Sequence, residues 1–299
     1  MKSPLCIVAV SLLLVLNASA ALVFQADFNG TGAKTGGPGD MVALGGTGVL
    51  NNANSDLSNA VASITSAAPL ITGGGAYLRL NDYGSSTRAR VVGVVFTPAS
   101  AANSFDSWYA NTSGTLGYDK LNGGFDFLFR TDSRAALDAN TYRFFDVNGG
   151  VSAYRFTLSS LSGGITLVLT EANVALVRAT SAALNLKANT PYRIAGTVAT
   201  NSRGYVTVNL YLAEGDTAID TSSSTYLMAT ATSRSVLDAG NKISSSFNSA
   251  DGINFGLIQN TTDDVKTFDL DSFRIYDAAP AIFNSSRQSG NVTPVVEGR

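Results

Sequence analysis

Residues 192–213 read YRIAGTVATNSRGYVTVNLYLA, and this stretch decides the fold. In its second half Val206, Val208, Leu210 and Leu212 alternate with Tyr205, Thr207, Asn209 and Tyr211. A period of two belongs to a strand with one apolar face and one polar or amphipathic face. Pro191 opens the first half, and Asn201-Ser202-Arg203-Gly204 supplies the turn residues that return the chain on itself. A strand that is apolar on one side only needs a second layer to cover that side, which points to a sandwich of antiparallel sheets.

The same grammar extends in both directions. Towards the N-terminus, YRFFDV and VSAYRFTL flank Asn148-Gly149-Gly150, whose residues accept the positive φ of a tight hairpin turn. Residues 165–170 and 174–180 form the next hairpin through Glu171-Ala172-Asn173, with Ser162-Gly163-Gly164 separating it from the strand before. Towards the C-terminus, residues 254–258 and 268–276 read as the last strands, and residues 216–224 and 232–250 as polar loops. A short helix is predicted around residues 133–138, and no long helical period competes with the strands. The expectation is an all-β, two-layer antiparallel β-sandwich.

Composition sets further bounds. The chain has 299 residues, of which 45 % are hydrophobic and 14 % charged, with a formal net charge of −2. Such a chain is not disordered by composition, and its outer faces must be covered by Ser, Thr, Asn and Gly. No basic run is present that could neutralise a phosphate backbone, so nucleic acid and anionic membrane are not expected partners. Oligomeric state is not set by any pattern in the sequence.

Residues 1–20 read as a secretion signal: Lys2 is followed by an apolar run from Leu5 to Leu16, and Ala18-Ser19-Ala20 offers small residues for cleavage. The run is too short for a membrane span, which needs about twenty residues, and no later stretch spans a bilayer. The single cysteine, Cys6, lies inside this leader, so the exported chain has no disulfide and must be stabilised by its core. The expected organisation is a leader over 1–20, one sandwich domain over 21–279, and a flexible C-terminal tail over 280–299 rich in Pro, Ser, Asn and Gly. Its place would be extracellular or at the cell surface.

VFQADFNGTG near the start, GGGAYLRL, the 192–213 pair and the closing FDLDSFRIYD follow an order that resembles the laminin-G-like, concanavalin-A-like jelly roll. The resemblance implies a double-sheet sandwich that binds carbohydrate or protein outside the cell, in a superfamily where some members cleave polysaccharides. It also implies a structural role for the acidic position in the closing strand. Fold alone implies no single activity.

The residue inventory excludes several chemistries. There is no histidine, so a Ser-His-Asp triad, a His-paired cysteine and His-ligated zinc or copper are absent. The glutamates are Glu171, Glu214 and Glu297, none near another, so a paired-glutamate glycosidase strand is absent too. Glu214-Gly215-Asp216 reads as a solvated turn.

Asp269 and Asp271 form the strongest acidic pair, since residues i and i+2 of a strand lie on one face about 6.6 Å apart. That parity continues through Phe273 and Ile275, so the pair is expected on the inner face, where each carboxylate needs backbone donors or a cation. Structural pairing, calcium ligation and catalysis are the three readings. Asp263 and Asp264, with Asn260, could add oxygen ligands for Ca²⁺ in the preceding loop, although no spaced acidic calcium loop is present.

Trp108, the sole tryptophan, stands beside Tyr109 and Asn111, combining ring faces with an amide as a sugar site does; the competing reading is a core or loop anchor. Sequons occur at Asn29, Asn111, Asn260, Asn284 and Asn291. The expectation that follows is a secreted, non-catalytic module for a glycan or an extracellular protein. The alternatives are an aspartate-dependent polysaccharide hydrolase or lyase, and a structural matrix or envelope component.

Overall fold

The computed structural model describes residues 20, 22–26, 41–43, 47–51, 60–71, 74–82, 92–97, 122–132, 142–147, 154–161, 163–171, 174–237, 253–258, 266–276 and 278–286. The leader, Trp108, Tyr109, Asn111, Asp263, Asp264 and the short helix expected at 133–138 lie outside them, apart from Ala20.

Strands run in chain order as β1 Leu22–Ala26, β2 Met41–Ala43, β3 Thr47–Asn51, β4 Ala60–Thr65, β5 Tyr77–Asp82 and β6 Val92–Thr97. They continue as β7 Gly123–Thr131, β8 Tyr142–Val147, β9 Tyr154–Leu161, β10 Gly164–Glu171, β11 Val174–Thr180 and β12 Tyr192–Thr200. The last are β13 Val206–Glu214, β14 Ile219–Asp220, β15 Leu227–Thr232, β16 Ile253–Ile258, β17 Lys266–Tyr276 and β18 Ile282–Phe283. Among the described residues there is no helix, and hence none long and apolar enough to cross a membrane.

The fold is an all-β, two-layer antiparallel sandwich. One layer has the order β15-β13-β12-β7-β17-β1-β2, with β5 also paired to β17 and β4 to β5; the other has the order β11-β10-β9-β8-β16-β6-β3. Each hairpin read from the sequence is present. β12 and β13 pair from Tyr192↔Glu214 to Thr200↔Val206, β8 pairs with β9, and β10 pairs with both β9 and β11. At the β12–β13 turn Gly204 takes φ +82°, and Asn201 Oδ1 accepts from the amides of Arg203 and Tyr205.

The core lies between the layers. Val206, Val208 and Leu210 are fully buried and Leu212 packs at the margin, as their alternation requires. Phe125, Phe127 and Phe129 of β7 point inward with Ile194 and Val198 of β12 and Phe268, Leu270, Phe273 and Ile275 of β17. Phe144 comes from the opposite layer and meets Phe129 edge-on at 5.4 Å and Phe268 at 5.1 Å. Burying each such ring contributes about 1.5–3 kcal/mol, so aromatic contact across the layers is a main source of cohesion without a disulfide.

One strand departs from its expected face. The pairing of β17 with β7 slips by one residue between Asp271 and Arg274, and Ser272 in that gap has φ +52°. This bulge inserts one residue and reverses the parity of the strand. Phe268 and Leu270 before it, and Phe273 and Ile275 after it, therefore all face the core. Asp269 and Asp271 consequently lie on the outer face, not with Phe273 and Ile275 on the inner face as a uniform alternation implies.

The outer face of the nine-stranded sheet is itself partly covered. β14 pairs with β18 through Ile219↔Phe283 and Asp220↔Ile282, and both Ile219 and Phe283 are fully buried against Ala195, Tyr211 and Ala213. Residues 280–286, expected as the start of a flexible tail, are thus packed on the sheet. One of their anchors is Phe283, an isolated aromatic side chain that period-based reading does not register.

Candidate binding groove on the outer sheet face

Alternation that sends phenylalanines inward sends Asp126, Leu128 and Arg130 of β7 outward, beside Arg193, Ala195 and Thr197 of β12 and Asp269, Asp271, Arg274 and Tyr276 of β17. Two charged clusters result. In the first, Arg79 Nε and Nη2 donate to Asp269 Oδ1 and Oδ2 at 2.7 and 2.8 Å. Arg130 Nε and Nη2 donate to Oδ2 of the same carboxylate at 3.0 and 2.7 Å. Both guanidinium groups also lie 5.2–5.3 Å from the centre of the Tyr77 ring, a cation–π arrangement. The hydrogen bond to Asp269, followed by its field, holds Arg79 above the ordinary guanidinium pKa against the opposing effect of burial.

The cation beside Asp269 is therefore supplied by arginine side chains. Asp271 is buried one position from the bulge, and its Oδ1 accepts from the Ser272 amide at 2.7 Å. Among the described residues no group of three or more His, Cys, Asp or Glu side chains is arranged to hold a metal ion. Glu214 is exposed and takes both of its contacts from Lys187 Nζ, at 2.9 and 3.0 Å.

The second cluster lies under the β18 segment. Asp126 accepts from Arg193 Nη1 and from Arg274, whose Nε is 2.9 Å from Oδ1. Arg193 Nη2 continues to Asp216 and to Ser286 Oγ, the latter at 2.7 Å, while the Ser286 amide donates to Asp216 at 2.9 and 3.0 Å. Two cations and two anions thus close on one another and tie the 284–286 backbone to the sheet. Burial opposes the charge of Arg274, but the field and hydrogen bond of Asp126 more than offset it and raise its pKa. Arg193 Nε remains a buried donor with no acceptor.

Tethering this segment over a flat sheet leaves a groove beside it of about 860 Å³. It is lined by Thr197 and Ala199 of β12, Asn209 and Tyr211 of β13, Tyr276 of β17, and Thr221, residues 279–282, Asn284 and Ala20. Its polar groups are pre-set. Asn209 Nδ2 donates to Thr197 Oγ1 at 3.1 Å, and Thr230 Oγ1 donates to Asn209 Oδ1 at 2.7 Å. Thr221 fixes the wall formed by the 279–282 segment, its hydroxyl donating to the carbonyls of Pro280 and Ala281 at 3.1 and 2.9 Å.

Gly124 makes this wall sterically admissible, since a Cβ there would stand 2.6 Å from Pro280 Cδ and 3.2 Å from Phe283 Cζ. Tyr276 meets Phe283 edge-on at 5.6 Å. Burial, then the adjacent Asp126 carboxylate, push the Tyr276 phenol well above its ordinary pKa. Burial also raises Tyr211, with hydrogen bonds from Thr197 and Asn209 acting in the opposite direction. Both phenols stay neutral over the physiological range and present rings and hydroxyl groups. Ile282, 52 % exposed, adds an apolar rim.

Sequence reading did not single out Asp126, Arg193, Arg274, Tyr211 or Tyr276 as a site. A signal existed: three strands carry charged residues opposite an apolar face, Asp126 and Arg130 on β7, Arg193 on β12, and Asp269, Asp271 and Arg274 on β17. Which strands are neighbours, however, is set by the sheet order and not by local pattern.

No family model and no curated protein matches this sequence. Among solved structures, the chain is similar to the one described as HCR/D-Sa-GBL1/C, with 13 % identity and a TM-score of 0.51 over 87 % of this chain and 48 % of that one. It is also similar to the botulinum neurotoxin serotype D binding domain, with 13 % identity and a TM-score of 0.42 over 87 % and 48 % of the two chains. A third is the Ruminococcus gnavus IT-sialidase CBM40 bound to α2,6-sialyllactose, with 14 % identity and a TM-score of 0.37 over 67 % and 92 %. The chain spans about half the length of the first two. At these identities the likeness is one of fold.

Proposed function

We propose that this chain is a secreted, non-catalytic carbohydrate-binding domain of the laminin-G-like or concanavalin-A-like jelly-roll type, with residues 21–279 and the packed start of the tail acting as one unit. The observation that carries this reading is the groove. It brings a pre-set row of hydroxyl and amide groups, Thr197, Asn209 and Thr221, within reach of the Tyr211 and Tyr276 rings and the exposed Ile282. Saccharides present hydroxyl groups at their edges and apolar C–H faces, and a concave site with few fixed polar groups suits them. A volume of about 860 Å³ lies within the range of small-ligand sites and would hold a short oligosaccharide.

Hydrolase or lyase chemistry would use Asp269 and Asp271. Asp269 is 2 % exposed with both oxygens engaged by arginine, which fits a structural role better than proton transfer. An extracellular protein partner would engage the same rim and remains the companion outcome of the test.

The test is a glycan array with the secreted protein, followed by calorimetric titration of the best binder against Asn209→Ala and Ile282→Ser. Weakening by about tenfold in each variant, about 1.4 kcal/mol, is the expected result. An array with no hit, or hits unaffected by both substitutions, contradicts it.

A further inference from the structure

Residues of the groove belong to rows that run past it across the sheet. Thr197 and Asn209 line the groove, and the register continues them outward: Asn209 stands opposite Thr197 on one side and Thr230 of β15 on the other. In a second row Ala199, also a lining residue, stands opposite Thr207, and Thr207 opposite Thr232 of β15. We propose that these two rows extend the site over β13 and β15, so that the ligand is an extended chain of several sugars, a linear polysaccharide, and not a single sugar. The inference rests on the carbohydrate reading above.

Side-chain parity puts both rows on the outer face. Val206, Val208 and Leu210 of β13 are core residues, which sends Thr207 and Asn209 outward. Ala229 and Ala231 of β15 pack against the same core, which sends Thr230 and Thr232 outward. Exposure rises along the first row, from Thr197 at 3 % through half-buried Asn209 to exposed Thr230. Among the described residues β15 is the last strand in the sheet order, so both rows run out to the sheet edge. Neighbouring strands are about 4.8 Å apart, which puts Thr230 two spacings, about 10 Å, from Thr197. One sugar held in the groove would leave Thr230, Thr207 and Thr232 uncovered; further units joined to it in line would cover them.

The hydroxyl groups of the rows are held in place before any ligand arrives. Thr230 Oγ1 gives its proton to Asn209 Oδ1 at 2.7 Å, which leaves its lone pairs to accept. The Thr207 and Thr232 hydroxyls stand 2.9 Å apart and share a hydrogen bond, which commits one of their two protons and leaves the other to donate. Acceptors and a donor therefore sit at fixed spacings on a surface that needs little further ordering on binding. A linear glycan presents hydroxyl groups at a regular repeat and can meet them unit by unit.

The experiment titrates the protein calorimetrically with the disaccharide and hexasaccharide members of cello-, laminari-, xylo- and manno-oligosaccharide ladders. In the ladder that binds, the hexasaccharide is expected to bind about tenfold or more tightly than the disaccharide. The double variant Thr207→Val with Thr232→Val keeps the β-branched shape and removes both hydroxyls, and should lower that ratio by about fivefold or more. Thr207→Ser with Thr232→Ser retains both hydroxyls and should keep the ratio. Equal affinity for the two lengths, a ratio unmoved by the valines, or one lost equally with the serines overturns the inference and leaves the carbohydrate reading standing. Silent ladders beside an array hit on a compact or branched glycan do the same. Silence of the ladders and the array together overturns both.

Discussion

Asp126 and Arg193 form an ion pair in which neither side chain has any solvent exposure. The pair lies on the outer face of a sheet, where a sandwich ordinarily meets water, and Arg193 and its neighbour Arg274 are met there by Asp216, Asn284 and Ser286. A buried pair is weak as a source of net stability but costly to break on one side. Asp126→Ala would leave Arg193 and Arg274 facing each other without their shared anion. It should destabilise the protein by about 3–5 kcal/mol, read as a lower midpoint in urea unfolding. A loss under about 1 kcal/mol would mean that the cluster is solvated in solution.

Ser272 supplies a second test. Its φ of +52° is unfavourable for a residue with a side chain, so Ser272→Gly should be neutral or stabilising by up to about 1 kcal/mol. Deleting Ser272 should abolish folding, because a restored alternation would turn Phe273 and Ile275 out of the core or Asp269 and Asp271 into it. Thermal unfolding followed by circular dichroism separates these outcomes.

That bulge also marks how far the sequence could be read. Alternation in 192–213, and the hairpins at 142–158 and 165–180, were legible because side-chain period and turn residues are local properties. The face of Asp269 was not, since one extra residue reverses parity and Ser272 carries no glycine to announce the left-handed turn. Nor was the groove, which needs the neighbour order β13-β12-β7-β17 and the return of Phe283 to Gly124, contacts between residues far apart in the chain. Ser272, Gly124 and Phe283 each look ordinary in isolation.

Gly124 gives a prediction about the groove wall. With a Cβ placed 2.6 Å from Pro280, Gly124→Ala must displace the 280–283 segment. Protease sensitivity near that segment and loss of ligand binding should rise together, with the phenylalanine core intact by near-ultraviolet circular dichroism. Unchanged proteolysis would show that the segment is not held by this contact.

Alkaline stability follows from Tyr276. Burial raises its pKa in the folded state above the ordinary value near 10, so the unfolded chain gives up this proton first as pH rises. Its stabilising contribution is complete below about pH 10 and is lost progressively above it. Tyr276→Phe should flatten the decline of unfolding free energy above pH 10, and tyrosine absorbance should show one phenol ionising only with alkaline unfolding.

The central claim is that ligand enters the groove between β12, β13 and the β18 segment, and the most direct measurement is chemical-shift mapping with the strongest glycan found on the array. The account predicts perturbations concentrated at Thr197, Asn209, Tyr211, Thr221 and Ile282. Perturbations centred instead on Trp108, Tyr109 and Asn111, or on the Asp263–Asp264 loop, with the groove residues unmoved, would contradict it.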